Sequence, residues 1–274
     1  MAQPVWFVKL IQRLFPQRFA FARMTRLSIL GKAVERGLFD GDDIIYLPKD
    51  DIVKSIQIHK SVGTQENVVL PSQVLEYFIT QSSYHWIMNF CICRDSEGCQ
   101  DYPIELGCLF LGEAVLNIRS EYGRLVSKDE ALEHVRRCRE AGLVHMIGRN
   151  KLDTIWLGVG PGEKLMTICN CCPCCCLWKM LPQLTPVISN RVTRMDGVSV
   201  TVTDRCEGCG TCCNGICFVD AIHLADGRAI IGDECRGCGR CVEVCPNEAI
   251  ELKIDSGAFV QETIERLAPL VDLS

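Results

Sequence analysis

The chain has 274 residues, 48% of them apolar and 23% charged, and 34 Asp+Glu against 29 Lys+Arg leave a net charge of −5. This composition is globular, and its acidic balance disfavours nucleic acid as a partner, because phosphate binding needs a cationic surplus. No apolar run reaches ~18 residues, so no membrane-spanning helix is expected.

The first 34 residues carry six cations (Lys9, Arg13, Arg18, Arg23, Arg26 and Lys32) and no acid. Val5 to Phe15 reads as a short helix that Pro16 stops. Arg18 to Arg36 reads as a second helix, with Gly37 at its carboxyl end. The apolar residues Trp6, Phe7, Leu10, Ile11, Leu14 and Phe15 give residues 4–31 a face suited to docking, either peripherally on a membrane or on a partner protein. The simpler alternative is a helix packed on its own core with cations at the rim. In the rest of this basic amino-terminal region, 1–66, Ile44-Ile45-Tyr46 and Ile56-Gln57-Ile58 read as short strands.

Residues 67–180 read as a mixed α/β domain. Pro71 and Ser72 open a helix that runs to Gln81. A buried strand from His85 to Phe90 delivers the chain to Cys91-Ile92-Cys93-Arg94, and Cys99 and Cys108 follow in Gly-bearing loops. Ser127 and Glu130 form a capping box for a helix that ends at Ala141-Gly142. Strands are expected over Leu143–Ile147, Thr154–Leu157 and Leu165–Ile168. The last of these runs into Cys169-Asn170-Cys171-Cys172-Pro173-Cys174-Cys175-Cys176. Gly158 to Gly162 reads as a turn, because it lacks the strand and helix context of a nucleotide loop. Pro182 and Pro186 mark a linker over 181–195. Val198 to Thr203 is a strand opening a second domain, 196–255, and 256–274 is a carboxyl-terminal helix or tail. The fold class is α+β: a Cys-rich α/β domain followed by a smaller second domain with its own cysteines.

All 20 cysteines lie between Cys91 and Cys245. Disulfide scaffolds are normally short secreted chains, whereas here Lys9, Arg13 and Pro16 interrupt any signal-like run. A reduced, cytoplasmic setting with thiolates held on metal is the better expectation. Cys206-x2-Cys209-x2-Cys212, with Cys213 and Cys217, is repeated as Cys235-x2-Cys238-x2-Cys241-x3-Cys245-Pro246. A [4Fe-4S] cube needs four thiolates, and C-x2-C-x2-C wraps one loop around three of its irons. Gly208, Gly210, Gly237 and Gly239 let these loops turn tightly.

Over 196–255 these residues resemble the bacterial-type two-cluster ferredoxin family. The resemblance implies that the fourth thiolate of each set comes from the other. Cys206, Cys209, Cys212 and Cys245 would then hold one [4Fe-4S] cluster, and Cys235, Cys238, Cys241 and Cys217 the second. Cys212 and Cys217 are one residue further apart than in the family, which makes Cys213 an alternative; the two-residue gap from Cys209 favours Cys212. A zinc ribbon would need fewer cysteines and wider gaps.

The amino half, through Cys91-Ile92-Cys93-Arg94, Cys99, Cys108, Glu140 to His145 and Cys169 to Cys176, resembles iron–sulfur proteins of anaerobes that pair such segments with a terminal dicluster module. That implies electron transfer beside a larger oxidoreductase. The candidate ligands are Cys91, Cys93, Cys99, Cys108, Cys169, Cys171, Cys172, Cys174, Cys175 and Cys176. A subset would hold a third iron–sulfur cluster, or a zinc ion; redox-active thiols are the remaining alternative. If the segment stays extended, Cys169 and Cys171 share one face and Cys172, Cys174 and Cys176 the other. Cys138 lies within a helix and reads as core.

None of the five histidines forms a metal-binding motif, and only His85 and His145 lie near the Cys-rich strand ends. With no triad, carboxylate pair or flavin fingerprint, the primary reading is an electron-transfer protein, a subunit or dedicated carrier working with redox partner proteins. The alternatives are a thiol or disulfide reductase, for which the adjacent pairs Cys171-Cys172 and Cys175-Cys176 speak, and a cluster sensor or assembly factor.

Overall fold

The structure is a computed structural model that describes residues 2–52, 55–56, 70–255 and 257–274. Two sheets organise it. The larger has seven strands: β1 (Asp43–Tyr46), β3 (His85–Met88), β4 (Leu109–Leu111), β5 (Gly123–Val126), β6 (Val144–Arg149), β7 (Met166–Cys171) and β8 (Val192–Arg194), given that β2 (Ser55–Ile56) belongs to the smaller sheet. Its spatial order is β5-β3-β4-β7-β6-β1-β8, antiparallel throughout except for the parallel pair β1–β8. The smaller sheet places β12 (Ile250–Ile254) between β2 and β9 (Val198–Val202), while β10 (Ile222–Ala225) and β11 (Arg228–Ile231) form a hairpin.

Alternation along the central strands separates two cores. On one face Leu109, Leu111, Ile147, Met166 and Ile168 pack with residues of the helices Ser72–Gln81 and Lys128–Glu140. The same cluster continues into Val198, Ile250, Leu252 and Ile254 and the helix Phe259–Leu267, so the smaller sheet shares its core with the larger. On the other face Tyr46, Val144 and Met146 turn with Cys169 and Cys171 towards the amino-terminal helices and the segment Leu177–Gln183.

The helix Ser72–Gln81, the capping box at Ser127 and the strands at Ile44, His85, Leu143 and Val198 lie where the sequence places them. Others differ. Thr154–Leu157 is the end of a helix, Lys151–Leu157, in which Asp153, Trp156 and Leu157 are buried at i, i+3 and i+4. The helix expected over Arg18–Arg36 is broken into Arg18–Met24 and Ser28–Val34. Thr25 Oγ1 bonds Ala22 O at 2.6 Å, and a Cβ on Gly31 would lie 2.0 Å from Thr25 O, so only glycine admits this approach. Gly37 falls inside a wide turn, Glu35–Phe39, and not at a helix end. Cys108, expected in a loop, directly precedes a sheet strand, Leu109–Leu111, to which the sequence reading assigns no element. The segment 181–195 contains a short helix, Pro186–Ser189, and β8; with β1 before residue 67, the large sheet draws strands from both sides of 67–180. Of Ile56-Gln57-Ile58, Gln57 and Ile58 lie outside the described residues, as does His59. No helix among the described residues is long and apolar enough to cross a membrane.

Asp42, 2% exposed, accepts the Lys151 backbone N–H at 2.7 Å. Burial raises its carboxyl from 3.8 to about 7. A folded pKa above the unfolded one means a contribution that is complete below about pH 4 and lost as pH rises through 7. Asp42→Asn should flatten the fall in stability between pH 5 and 7, on the order of 3 kcal/mol, in urea unfolding under anaerobic conditions.

Candidate metal centres

The carboxy-terminal cysteines gather around two small pockets. Cys206, Cys209, Cys212 and Cys245 line one, together with Ala229 and Ala249. Cys217, Cys235, Cys238 and Cys241 line the other, with Ala221 and Arg240. The half-repeats are equivalent in detail: Ala221 N donates to Cys217 Sγ at 3.2 Å and Ala249 N to Cys245 Sγ at 3.2 Å. Ala229 N and Gly237 N donate to Cys206 and Cys235, each at 3.4 Å. Such N–H groups favour thiolate over thiol. Gly208 (φ +68°) cannot carry a side chain, since a Cβ would lie 2.1 Å from Gly227 O. The chemistry and grouping of these donors fit iron–sulfur clusters. Cys213 lines neither pocket; its Sγ lies 3.9 Å from that of Cys212.

The ten candidate cysteines of the amino half, all but Cys138, divide into two groups. Strand β7 ends at Cys171, and the chain turns over Pro173–Cys175. The turn carries Cys172, Cys174 and Cys175 to Cys99, and these four Sγ atoms all lie within 4.8 Å of one another. Cys174 Sγ is 3.6 Å from Cys99 Sγ and 3.5 Å from Cys175 Sγ. A metal at about 2.3 Å from four tetrahedral thiolates sets sulfurs about 3.8 Å apart. A cubane interposes iron and sulfide and spreads its thiolates further. This group therefore suits one metal ion. Burial opposes the Cys99 thiolate, but the backbone N–H groups of Asp101 and Tyr102 and the thiols of Cys175 and Cys174 hold its pKa below the ordinary value.

The turn returns Cys176 to the side of Cys169 and Cys171, against the extended reading. There it lines one cavity with Cys93, Cys108, Cys169 and Cys171, and Cys91, hydrogen-bonded to Cys93, completes a six-thiol nest. Cys108 Sγ and Cys169 Sγ are 3.6 Å apart. A hydrogen bond from Cys93 draws the Cys91 thiol down to about 7 despite its burial, with Arg94 assisting. Hydrogen bonds from Cys169 and Cys176 hold the Cys171 thiol well below its ordinary value.

Arg94 lies at the junction of the two groups. It is fully buried, and among the described residues no carboxylate pairs with it. Its Nη1 donates to Asn170 O at 2.7 Å and its Nη2 to Leu106 O. Burial works to neutralise the guanidinium, but Cys91, Cys172, Cys108 and Cys171 outweigh it and raise its pKa. A buried cation without a carboxylate calls for another anion, and thiolates or a negatively charged cluster supply it.

Two contacts join the nest to the ferredoxin-like segment. Tyr46 OH lies 3.5 Å from Cys176 Sγ, and its ring centroid is 4.5 Å from that of Phe218, next to Cys217. Arg240, next to Cys241, donates to Cys171 O at 2.6 Å. Neither Tyr46 nor Arg240 carries a motif that marks it in the sequence. The histidines are otherwise engaged: His85 Nε2 meets Ile79 O at 2.6 Å, and His145 Nδ1 meets Asn170 Oδ1 at 2.8 Å. Burial lowers His145 to about 4. Cys138 is fully buried in its helix, its thiol raised to about 12 by burial.

The family model of the 4Fe-4S binding domain matches residues 229–251, which hold Cys235, Cys238, Cys241 and Cys245. The chain is an iron–sulfur protein with at least one 4Fe-4S site. No curated protein and no solved structure matches it.

Proposed function

We propose that the chain is an electron-transfer protein with two [4Fe-4S] clusters in its carboxy-terminal segment and a third iron–sulfur cluster in the amino-half nest. It serves a larger oxidoreductase of anaerobic metabolism as a subunit or dedicated carrier. Cys206, Cys209, Cys212 and Cys245 hold one cluster, Cys217, Cys235, Cys238 and Cys241 the second. Cys91, Cys93, Cys108, Cys169, Cys171 and Cys176 supply the third, and Cys99, Cys172, Cys174 and Cys175 hold a zinc ion. The observation that carries this reading is the short bridge formed by Tyr46, Phe218 and Arg240 between nest and ferredoxin-like segment. Bound clusters supply one-electron chemistry, while the chain sets their spacing, burial and hydrogen bonding.

Cys212→Ser should lose about four irons per chain and one of the reduced-state paramagnetic signals, whereas Cys213→Ser should keep both. Iron and acid-labile sulfide counts with electron paramagnetic resonance read this directly. Iron loss in Cys213→Ser alone would reassign the ligand, and full iron in every single ligand variant would sink the two-cluster reading.

The amino-terminal helices dock the protein on an anionic membrane surface. One face packs inward through Val8, Phe15 and Ala22, and Arg18 pairs with Glu97. The other leaves Trp6, Phe21, Leu27 and Ile29 54–86% exposed beside Lys9, Arg13 and Lys32. Each such cation contributes about 1 kcal/mol near anionic lipid, screened by salt. Co-sedimentation with phosphatidylglycerol-containing vesicles should fall about tenfold for each of Trp6→Ser and Ile29→Ser, from ~1.5 kcal/mol of lost apolar burial. Equal binding to pure phosphatidylcholine vesicles, or wild-type binding by both variants, would leave a protein partner as the occupant.

A further inference from the structure

Beneath the amino-terminal helices lies a cavity of about 520 Å³. Its floor is made by Cys93, Cys108, Cys169, Cys171 and Cys176 of the nest. Its walls are carbon: Ala22, Leu30, Val34 and Leu38 on one side, Met180 and Leu184 on the other. Phe21 and Met24 also line it and are 54% and 46% exposed, which places its mouth on the exposed apolar face of the helices. The two charged side chains in its lining are already engaged. Arg18 pairs with Glu97, and Asp153 accepts from Trp156, Asn150 and Thr167.

A metal centre on the thiols would sit at the floor; besides carbon, the walls above it carry Thr25 Oγ1, bonded to Ala22 O, and two buried atoms without a hydrogen-bond partner, Asn150 Oδ1 and Arg18 Nε. The whole cavity, floor included, is of the size that takes a small molecule, within roughly 300–1,000 Å³. A dry void of this size would forfeit packing on the scale of a domain's net stability. The walls admit an uncharged apolar body, since no free charge or unpaired ion is offered to a polar one.

We propose that this cavity binds an uncharged, lipid-soluble molecule of the quinone class, taken up through the mouth at Phe21 and Met24. The choice of class rests on the electron-transfer reading above: the occupant lies directly against the thiol floor, and quinones are the apolar molecules that accept electrons. Conversion of the bound quinone to its hydroquinone takes two electrons from an external one-electron donor and two protons from water. The two C=O groups become C–OH groups, and no other bond breaks.

The test uses the full chain, purified anaerobically with its iron and sulfide counted, and 2,3-dimethyl-1,4-naphthoquinone as probe. Both of its reactive ring positions are blocked, so it cannot alkylate the thiols. Equilibrium dialysis should show saturable binding of one probe per chain, weakened at least tenfold in Val34→Phe and in Ala22→Leu at unchanged iron content. Leu125→Ser, on β5 and outside the cavity, should bind as wild type. A sulfonated naphthoquinone should not compete. Absence of saturable binding to iron-replete protein would overturn the proposal, as would wild-type binding by both filled variants or equal binding of the sulfonated probe. Dialysis does not depend on cluster reduction. Failed binding with reducible clusters therefore removes only the cavity proposal, and binding without reducible clusters removes only the electron-transfer reading.

Discussion

Arg94→Leu is expected to strip the metal from the amino half and to lower stability by about 3–5 kcal/mol, the scale on which removing one partner unbalances a buried ionic network. The leucine would leave Asn170 O and Leu106 O without their donor and the thiolates of Cys91 and Cys171 without a cation. Arg94→Lys should recover little, because an ammonium on a single stem does not reproduce the planar fork that reaches both carbonyls. Iron and zinc counts per chain, with urea unfolding under anaerobic conditions, measure both effects. Full metal content in Arg94→Leu would show that the guanidinium is a packing element and not the counter-charge.

The second large effect separates the two amino-half groups. Cys174→Ser should remove about one zinc per chain and leave iron unchanged, while Cys169→Ser should remove about four irons and leave the zinc. The basis is the close mutual spacing of the Cys99 group, within 4.8 Å, which matches a single tetrahedral ion. Wild-type protein that carries iron but no zinc would refute the zinc assignment. Parallel loss of both metals in each variant would merge the groups into one centre. X-ray absorption at the zinc edge, showing four sulfurs at about 2.3 Å, supplies an independent check.

The carboxy-terminal site was legible because its information is local. Three cysteines and two glycines in one short loop state their own geometry, and the repeat states it twice. The amino half named its cysteines without dividing them. The division depends on the turn at Pro173–Cys175, which sends Cys172, Cys174 and Cys175 one way and Cys176 back, and the extended reading assigned Cys176 to the wrong side. Tyr46 and Arg94 owe their roles to partners far along the chain, and the cavity is a space between segments that have no sequence pattern in common. Thr154–Leu157 failed for a simpler reason. Four apolar or β-branched residues fit a strand, and the helical period shows only when Asp153 is counted as buried.

The two sheets share one continuous core, and β2 pairs in parallel with β12 from far upstream in the chain. This bears on modularity. A fragment cut at residues 196–255 would encode all eight candidate ligand cysteines yet lack the strand β2 that flanks β12. It would also turn Leu252 and Ile254, buried against the larger sheet's cluster, out to water. Such a fragment would present an open, apolar strand edge, the geometry that invites pairing between copies. A gene that supplied this segment to another protein would have to carry a replacement edge strand and cover for that face. The ferredoxin-like segment is thus a unit of sequence and not an independent unit of folding.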